Sequence, residues 1–255
     1  MTMTGITAVF DCACLIALSG GDFDATLSGR HIRNDKAYSV HAGDELKLGA
    51  AKSGARCYLA VSGGIAVPKV MGSRSTDLKM GIGGFCGRKL ASGDVLAFGN
   101  DNLPIENPEK WEIPLRTFSA AFDVRAVPGP QAYLFTQDSL HLFFEKTYTV
   151  SAACDRMGMK LNGAALTAPE GTDIISDGIV RGSVQVPGNG QPIVLMSDHQ
   201  TTGGYAKIAT VLGLDVSRLA QAKPGDTVHF HSVSLPEAEK LAKKEKRDLN
   251  RLFFW

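Results

Sequence analysis

The stretch from Ser197 to Lys207, SDHQTTGGYAK, sets Asp198, Gln200, Thr201 and Tyr205 around a Gly203–Gly204 pair. Nearly every side chain in it donates or accepts a hydrogen bond, which is more than a turn requires. Gln185 and Gln191 stand shortly before it, on either side of the Pro187-Gly188-Asn189-Gly190 turn, with the apolar run Ile193 to Met196 following. Residues two apart on a strand face the same way, so Gln185, Gln191, Asp198 and Gln200 are expected to line one concavity. Three further clusters combine glycine with polar groups: Gly72 to Asp77 with Arg74, Gly83-Gly84 with Gly87-Arg88, and Cys154 to Gly158 with Arg156. The planar guanidinium fork suits carboxylates and phosphates, whereas glutamine and hydroxyl side chains recognise amides and carbonyls. A small polar ligand is the chemistry these groups share, against a reading of each cluster alone as a hydrogen-bonded turn.

The elements that must position them read mostly as strands. Short apolar segments such as RCYLAVSGGIAV (56–67) and QPIVLM (191–196) are bounded by Gly, Pro, Asn or Asp at intervals that suit a barrel or sandwich. Three strings, AGDELKLG (42–49), SGDVLAFG (92–99) and PGDTVHFH (224–231), share Gly-Asp before alternating apolar residues, the pattern of a tight turn feeding a half-buried strand. Helical spacing is scarce. It is expected at DSLHLFFEK (138–146), at YAKIATVLG (205–213) closed by Gly213, and at the C-terminal SLPEAEKLAKKEKRDLNRLF (234–253). In the last, Ser234 and Glu237 make a capping box, Pro236 sits in the first turn, and KKEKR forms a solvated face. The polar, proline-bearing NDNLPIENPEKWEIPL (100–115) is the expected boundary between two β-rich halves, 1–103 and 117–255.

Composition narrows the classes. The chain has 255 residues, 44% hydrophobic, with 27 basic against 26 acidic residues for a formal net charge of +1. Such a balance gives no global field for nucleic acid or a membrane surface. No apolar run approaches the ~20 residues of a membrane helix, and the first twenty residues, interrupted by Asp11, read as strand. The five cysteines match no paired CxxC spacing and suit a reducing cytoplasm, with Cys12 and Cys14 alternating on a strand. His229 and His231 alternate with apolar residues on the last strand and read as structural; His199 is tempting as an acid/base group. No spacing of His, Cys or carboxylate points to a metal.

Six strings, RCYLAVSGGIAVPKVMGSRSTDL, GRKLASGDVL, VPGPQ, SAACDRMGMKLNG, GSVQVPGNGQPIVLMSDHQTTGGYAKIATV and LAQAKPGDTVHFHSVS, occur in order between about Leu15 and Ala238. Together they resemble the biotin-dependent carboxyltransferase family of the urea amidolyase type, in particular its 5-oxoprolinase C-subunit branch, also labelled allophanate hydrolase subunit 2 or antagonist of kinase inhibitor. The resemblance implies a mainly β, cyclophilin-like barrel fold in two related halves. Family members usually carry a further N-terminal segment, so the first half is expected to be incomplete.

The resemblance also implies an activity and companions. It points to one component of a cytoplasmic complex that cleaves the lactam of 5-oxo-L-proline to L-glutamate with ATP. The expected partners are a companion cyclophilin-like B subunit and a lactam-utilisation A subunit. The sequence has no GxxxxGK[ST] phosphate loop, so ATP is expected to be handled at least partly by a partner. Asp198 is then the expected general base or water orienter and Arg156 its catalytic companion, while Gln185, Gln191, Gln200, Thr201, Tyr205 and Arg74 bind substrate. Lys207 is a weaker candidate for an anion contact. Two other readings stay open: a carboxyltransferase component that uses biotin on a separate carrier, and a regulatory binder of a kinase inhibitor without chemistry.

Overall fold

The computed structural model describes residues 1–99 and 107–252. The expected boundary therefore lies partly outside the described residues. The chain divides into two compact units, Met1–Lys52 with Arg56–Thr117, and Ser53–Ala55 with Phe118–Trp255.

The first unit is built from short strands. They are β1 (Thr7–Val9), β2 (Cys14–Asp22), β3 (Thr26–Leu27), β4 (Arg30–His31), β5 (Ala37–Val40), β6 (Glu45–Lys47) and, from Arg56 on, β7 (Ser53–Val61). Four of them form a sheet in the order β1-β6-β3-β4, and three a sheet in the order β5-β2-β7. Along β2 the alternate residues Ile16 and Leu18 are buried, and they join Phe10, Phe23, Val40, Leu46 and Cys57 in one apolar cluster. Cys14 opens β2, but Cys12 sits in the bend before it and is exposed, so the two do not share the strand.

The second unit contains β8 (Ala121–Pro128), β9 (Thr147–Cys154), β10 (Gly158–Asn162), β11 (Asp173–Gly178), β12 (Ser183–Gln185), β13 (Ile193–Leu195), β14 (Thr202–Tyr205), β15 (Lys207–Val211) and β16 (Thr227–Ser232). Seven of them close into a barrel in the order β10-β13-β12-β15-β8-β16-β9, while β11 and β14 pair separately. Inward-facing Phe122, Val124, Val150, Leu161, Val184, Val194, Ile208, Val228 and Phe230 fill its interior. Helix α1 (Gln137–Glu145) brings Phe143 onto Phe230, stacked at 4.4 Å between centroids. Thr136 caps that helix by accepting from the Ser139 N–H at 3.1 Å.

Helix α2 (Gly213–Leu219) follows β15. Its Asp215 is fully buried and accepts from Arg125 three times: the backbone N–H at 2.8 Å, Nε at 2.7 Å and Nη2 at 2.8 Å. Burial pushes the Asp215 carboxyl up, but these Arg125 hydrogen bonds outweigh it and hold the group below the usual carboxylate range. The chain ends in α3 (Leu235–Leu252), where the Glu237 N–H reaches Ser234 Oγ at 3.4 Å, one arm of the expected capping box.

Two expectations are corrected. Residues 207–211 form strand β15, not a helix, and Gly213 opens α2 instead of closing a helix before it. Ile208, Ala209 and Val211 are all buried, and the β-branched Ile208, Thr210 and Val211 fit a pleated surface better than a helical turn. The SGDVLAFG string makes the turn, yet no regular strand follows it among the described residues; only Phe98 bridges to Ile65.

The Gly-Asp turn itself recurs with one geometry. Gly43, Gly93 and Gly225 have φ of 91°, 88° and 92°. In each, the following Asp carboxylate accepts the backbone N–H three residues before it: Asp44 from His41 at 2.8 Å, Asp94 from Ala91 at 2.7 Å, Asp226 from Lys223 at 2.8 Å. The glycine supplies the left-handed φ of a type II turn and the aspartate closes the turn from its far side.

Among the described residues two buried side-chain oxygens, those of Tyr148 and Thr172, lack a hydrogen-bond partner. The Tyr148 ring packs against Phe143 and Phe230, its buried hydroxyl makes no hydrogen bond, and burial pushes its pKa up to about 12. An unfolded tyrosine ionises near about 10. Its neutral form therefore favours the fold below about 10, and that contribution is lost as pH rises towards about 12. Tyr148→Phe removes both the orphan hydroxyl and the ionisation. Its melting temperature at neutral pH is expected to equal or exceed the parent's, with the advantage widening in thermal melts taken between about pH 10 and 12.

Candidate functional site

The second unit gathers most of the polar residues singled out by sequence, several of them in two sets. The first pairs Arg156 with Asp198. Arg156 Nε donates to Asp198 Oδ2 at 2.6 Å and Nη2 to Oδ1 at 2.8 Å, a two-pronged pair between side chains 68% and 46% exposed. The loop carrying Asp198 is tied down independently, because the Asp198 N–H donates to the Arg156 carbonyl at 2.7 Å. The guanidinium expected to take an anion and the carboxylate expected as base are thus each other's partner. An exposed pair of this kind contributes ~0–1 kcal/mol, so an incoming carboxylate can replace Asp198 on the fork at little cost.

The second set surrounds Lys207 at the start of β15. Its side chain is 4% exposed, and Nζ donates to Asp177 Oδ2 at 2.7 Å. The same oxygen accepts from Gln131 Nε2 at 3.2 Å, while Gln131 Oε1 accepts the Lys207 N–H at 3.3 Å. Gln131 reaches this point because Gly129 packs against β15: a Cβ there would stand 2.8 Å from the Ala209 nitrogen. The Lys207 hydrogen bond, then the Gly178 N–H and Gln131, hold the Asp177 carboxyl below its usual range.

Gln185 belongs to this neighbourhood. It pairs in register with Lys207, is 2% exposed, and donates from Nε2 to the Tyr205 carbonyl at 3.3 Å. A Cβ on Gly203 would meet Gln185 Nε2 at 2.9 Å and Gln200 Nε2 at 3.4 Å, so the missing side chain lets both amides close over the β14 backbone. Tyr205 itself is 41% exposed, and Thr201 is exposed with its carbonyl taken by the Ile179 N–H.

The remaining candidates sit apart from these. Both ends of the Gln191 amide engage Gly163, with Oε1 accepting its N–H at 2.8 Å and Nε2 donating to its carbonyl at 3.2 Å. His199 Nδ1 lies 2.6 Å from the Gln200 carbonyl. Arg74 belongs to the first unit, exposed, with Nε donating to the Val67 carbonyl at 3.1 Å. Neither Gln131 nor Asp177 stands out in the sequence by type or spacing, although Gln131 lies in the VPGPQ string that carries part of the family resemblance.

The buried ammonium predicts an asymmetry. Asp177→Asn leaves Lys207 inside the barrel wall without its carboxylate, whereas Lys207→Met leaves Asp177 in contact with water. Asp177→Asn is expected to lower the melting temperature more than Lys207→Met, and the double variant to resemble Lys207→Met alone. Because the Asp177 pKa is depressed, the contribution of the pair is present above the usual carboxylate range and fades as pH falls below it, so the difference narrows in acid.

Known proteins share this architecture. The family described as carboxyltransferase domain, subdomain A and B, matches residues 1–232. The C subunit of 5-oxoprolinase from Escherichia coli (strain K12) is 38% identical over 255 residues, covering 99% of this chain and 80% of that protein. Its counterpart of the same name from Haemophilus influenzae is also 38% identical, covering 97% of this chain and 79% of its own length. The crystal structure of K. lactis urea amidolyase superposes with a TM-score of 0.88 at 26% identity, over 98% of this chain and 16% of that one. The closed β-barrel, the motifs and the extent of the match agree: this chain belongs to the carboxyltransferase-domain family, with its subdomains A and B.

Proposed function

We propose that the chain is the C subunit of an ATP-dependent 5-oxoprolinase that opens the lactam of 5-oxo-L-proline to L-glutamate together with its A and B companions. The observation that carries this reading is the 38% identity to proteins of that name along 99% of the chain. The site chemistry is compatible with it. The substrate carries one carboxylate, which suits the Arg156 fork, and one secondary amide, which is a poor electrophile until its oxygen is activated. Exchange of the substrate carboxylate for Asp198 on Arg156 would leave the Asp198 carboxylate beside the bound ligand, placed to orient water or take its proton.

ATP does not fit these residues. Lys207 is committed to Asp177 inside the barrel wall, the exposed Arg156 fork is matched to the substrate carboxylate, and the sequence contains no phosphate loop. Nucleotide activation of the lactam belongs in this reading to a partner. A second reading, carboxyl transfer from biotin on a separate carrier, is favoured by the superposition on urea amidolyase. Against it, the amides suited to a ureido ring are mostly engaged, Gln185 by Tyr205 and Gln191 by Gly163.

Reconstitution tests the proposal. Purified chain mixed with its A and B companions is expected to release glutamate from 5-oxoproline in an ATP-dependent, avidin-insensitive reaction, and the chain alone to release none. Avidin-sensitive carboxylation without lactam cleavage would move the assignment to the second reading. In the reconstituted complex, Asp198→Asn is expected to lower turnover by roughly 10²-fold while the melting temperature changes little. A destabilised but fully active Asp198→Asn protein would return Asp198 to a turn-capping role.

A further inference from the structure

On the outer face of the barrel, away from the Arg156 and Lys207 groups, three metal-binding side chains converge. Asp123 on β8 and His229 on β16 are direct partners in a parallel pair, and His231 is the next residue along β16 on the same face. Their neighbours Phe122, Val124, Val228 and Phe230 are buried, so strand alternation turns Asp123, His229 and His231 outward. His231 Nε2 lies 2.9 Å from Asp123 Oδ1, His229 Nδ1 lies 3.6 Å from the same oxygen, and the two ring nitrogens are 3.2 Å apart.

Hydrogen bonding accounts poorly for this triangle. His231 Nε2 has two close neighbours but only one directional valence. It either points a proton at Asp123 or offers a lone pair to His229. A cation at the centre of the face accepts all three lone pairs at once. Donors about 2.0–2.1 Å from a metal, at angles between octahedral and tetrahedral, stand about 2.8–3.4 Å apart; the 2.9 and 3.2 Å edges lie within that range, and the 3.6 Å edge from His229 to Asp123 closes to it with a small side-chain rotation. The rings cross at 72° with centroids 4.5 Å apart, and the side chains retain 28%, 50% and 70% exposure for His229, His231 and Asp123, so the face is open to solvent.

We infer that Asp123, His229 and His231 form a binding site for a borderline divalent transition-metal ion, of the class of Zn²⁺, Ni²⁺ or Co²⁺. Two imidazole nitrogens with one carboxylate oxygen suit these ions, whereas Mg²⁺ and Ca²⁺ demand mostly oxygen donors. Three protein ligands leave further positions for water or for a donor from another molecule. Arg218, whose Nη1 donates to the Asp123 carbonyl at 3.3 Å, is the nearby cation that opposes binding and limits its strength. The site does not depend on the lactam reading.

The test uses untagged full-length protein stripped with a chelator and dialysed, titrated calorimetrically with ZnCl₂ and with NiCl₂, and with Co²⁺ followed by its visible absorption. One ion per chain is expected. His229→Ala, His231→Ala and Asp123→Asn are each expected to weaken binding at least tenfold with unchanged circular dichroism, while His31→Ala and His41→Ala, at exposed histidines elsewhere, change nothing. Absence of saturable binding overturns the site. So does equal affinity in the His229→Ala/His231→Ala double variant, which would mark any binding to the parent as adventitious.

Discussion

The second unit depends on the parallel pairing of β8 with β16, which run side by side from Ala121 with Thr227 to Ala126 with Ser232. The strands are about a hundred residues apart in sequence, and between them the chain lays down every other stave of the barrel. This pairing joins β9 on one side to β15 on the other, so the ring has no free edge. Inward alternation on the two strands then sets Phe122, Val124, Val228 and Phe230 in the core. Outward alternation sets Asp123, His229, His231 and Arg125.

Arg125 turns the same register into a tertiary anchor. A fully buried aspartate is tolerable only when its charge is met and its oxygens are filled. Asp215 achieves this through the backbone and the side chain of one residue, with Arg218 Nη1 near at 3.4 Å. Helix α2 is thereby fixed against β8 by geometry as well as by the burial of Val216 and Leu219. Lys207 repeats the arrangement with opposite sign, a buried ammonium met by a carboxylate at the barrel wall.

Much of the fold is legible in the residues. Alternation and turn chemistry mark the strands, and the capping pattern at Ser234 marks the last helix. The helical reading of residues 207–211 fails because a strand buried along nearly its whole length shows a continuous apolar run, and Ile208, Val211 and Leu212 happen also to fit helical spacing. The site is legible only within single segments. Asp198 and Arg156 stand out by type, but that they bind each other requires the register of the loops that carry them. Gln131, Asp177 and Lys207 come from three separate elements, and Asp123 precedes His229 by about a hundred residues, so no local spacing announces either group.

The Arg156–Asp198 pair has a wider implication. A guanidinium that holds a tethered carboxylate is an ion exchanger carrying its own counter-ion. At physiological ionic strength the field of such a pair is lost within about 8 Å. It therefore exerts little pull on distant anions and discriminates only at contact, where a planar, two-oxygen group matches the fork and a spherical halide does not. Selectivity at this loop accordingly follows the shape of the arriving anion more than its charge, and the resident aspartate sets the threshold that any such anion has to exceed.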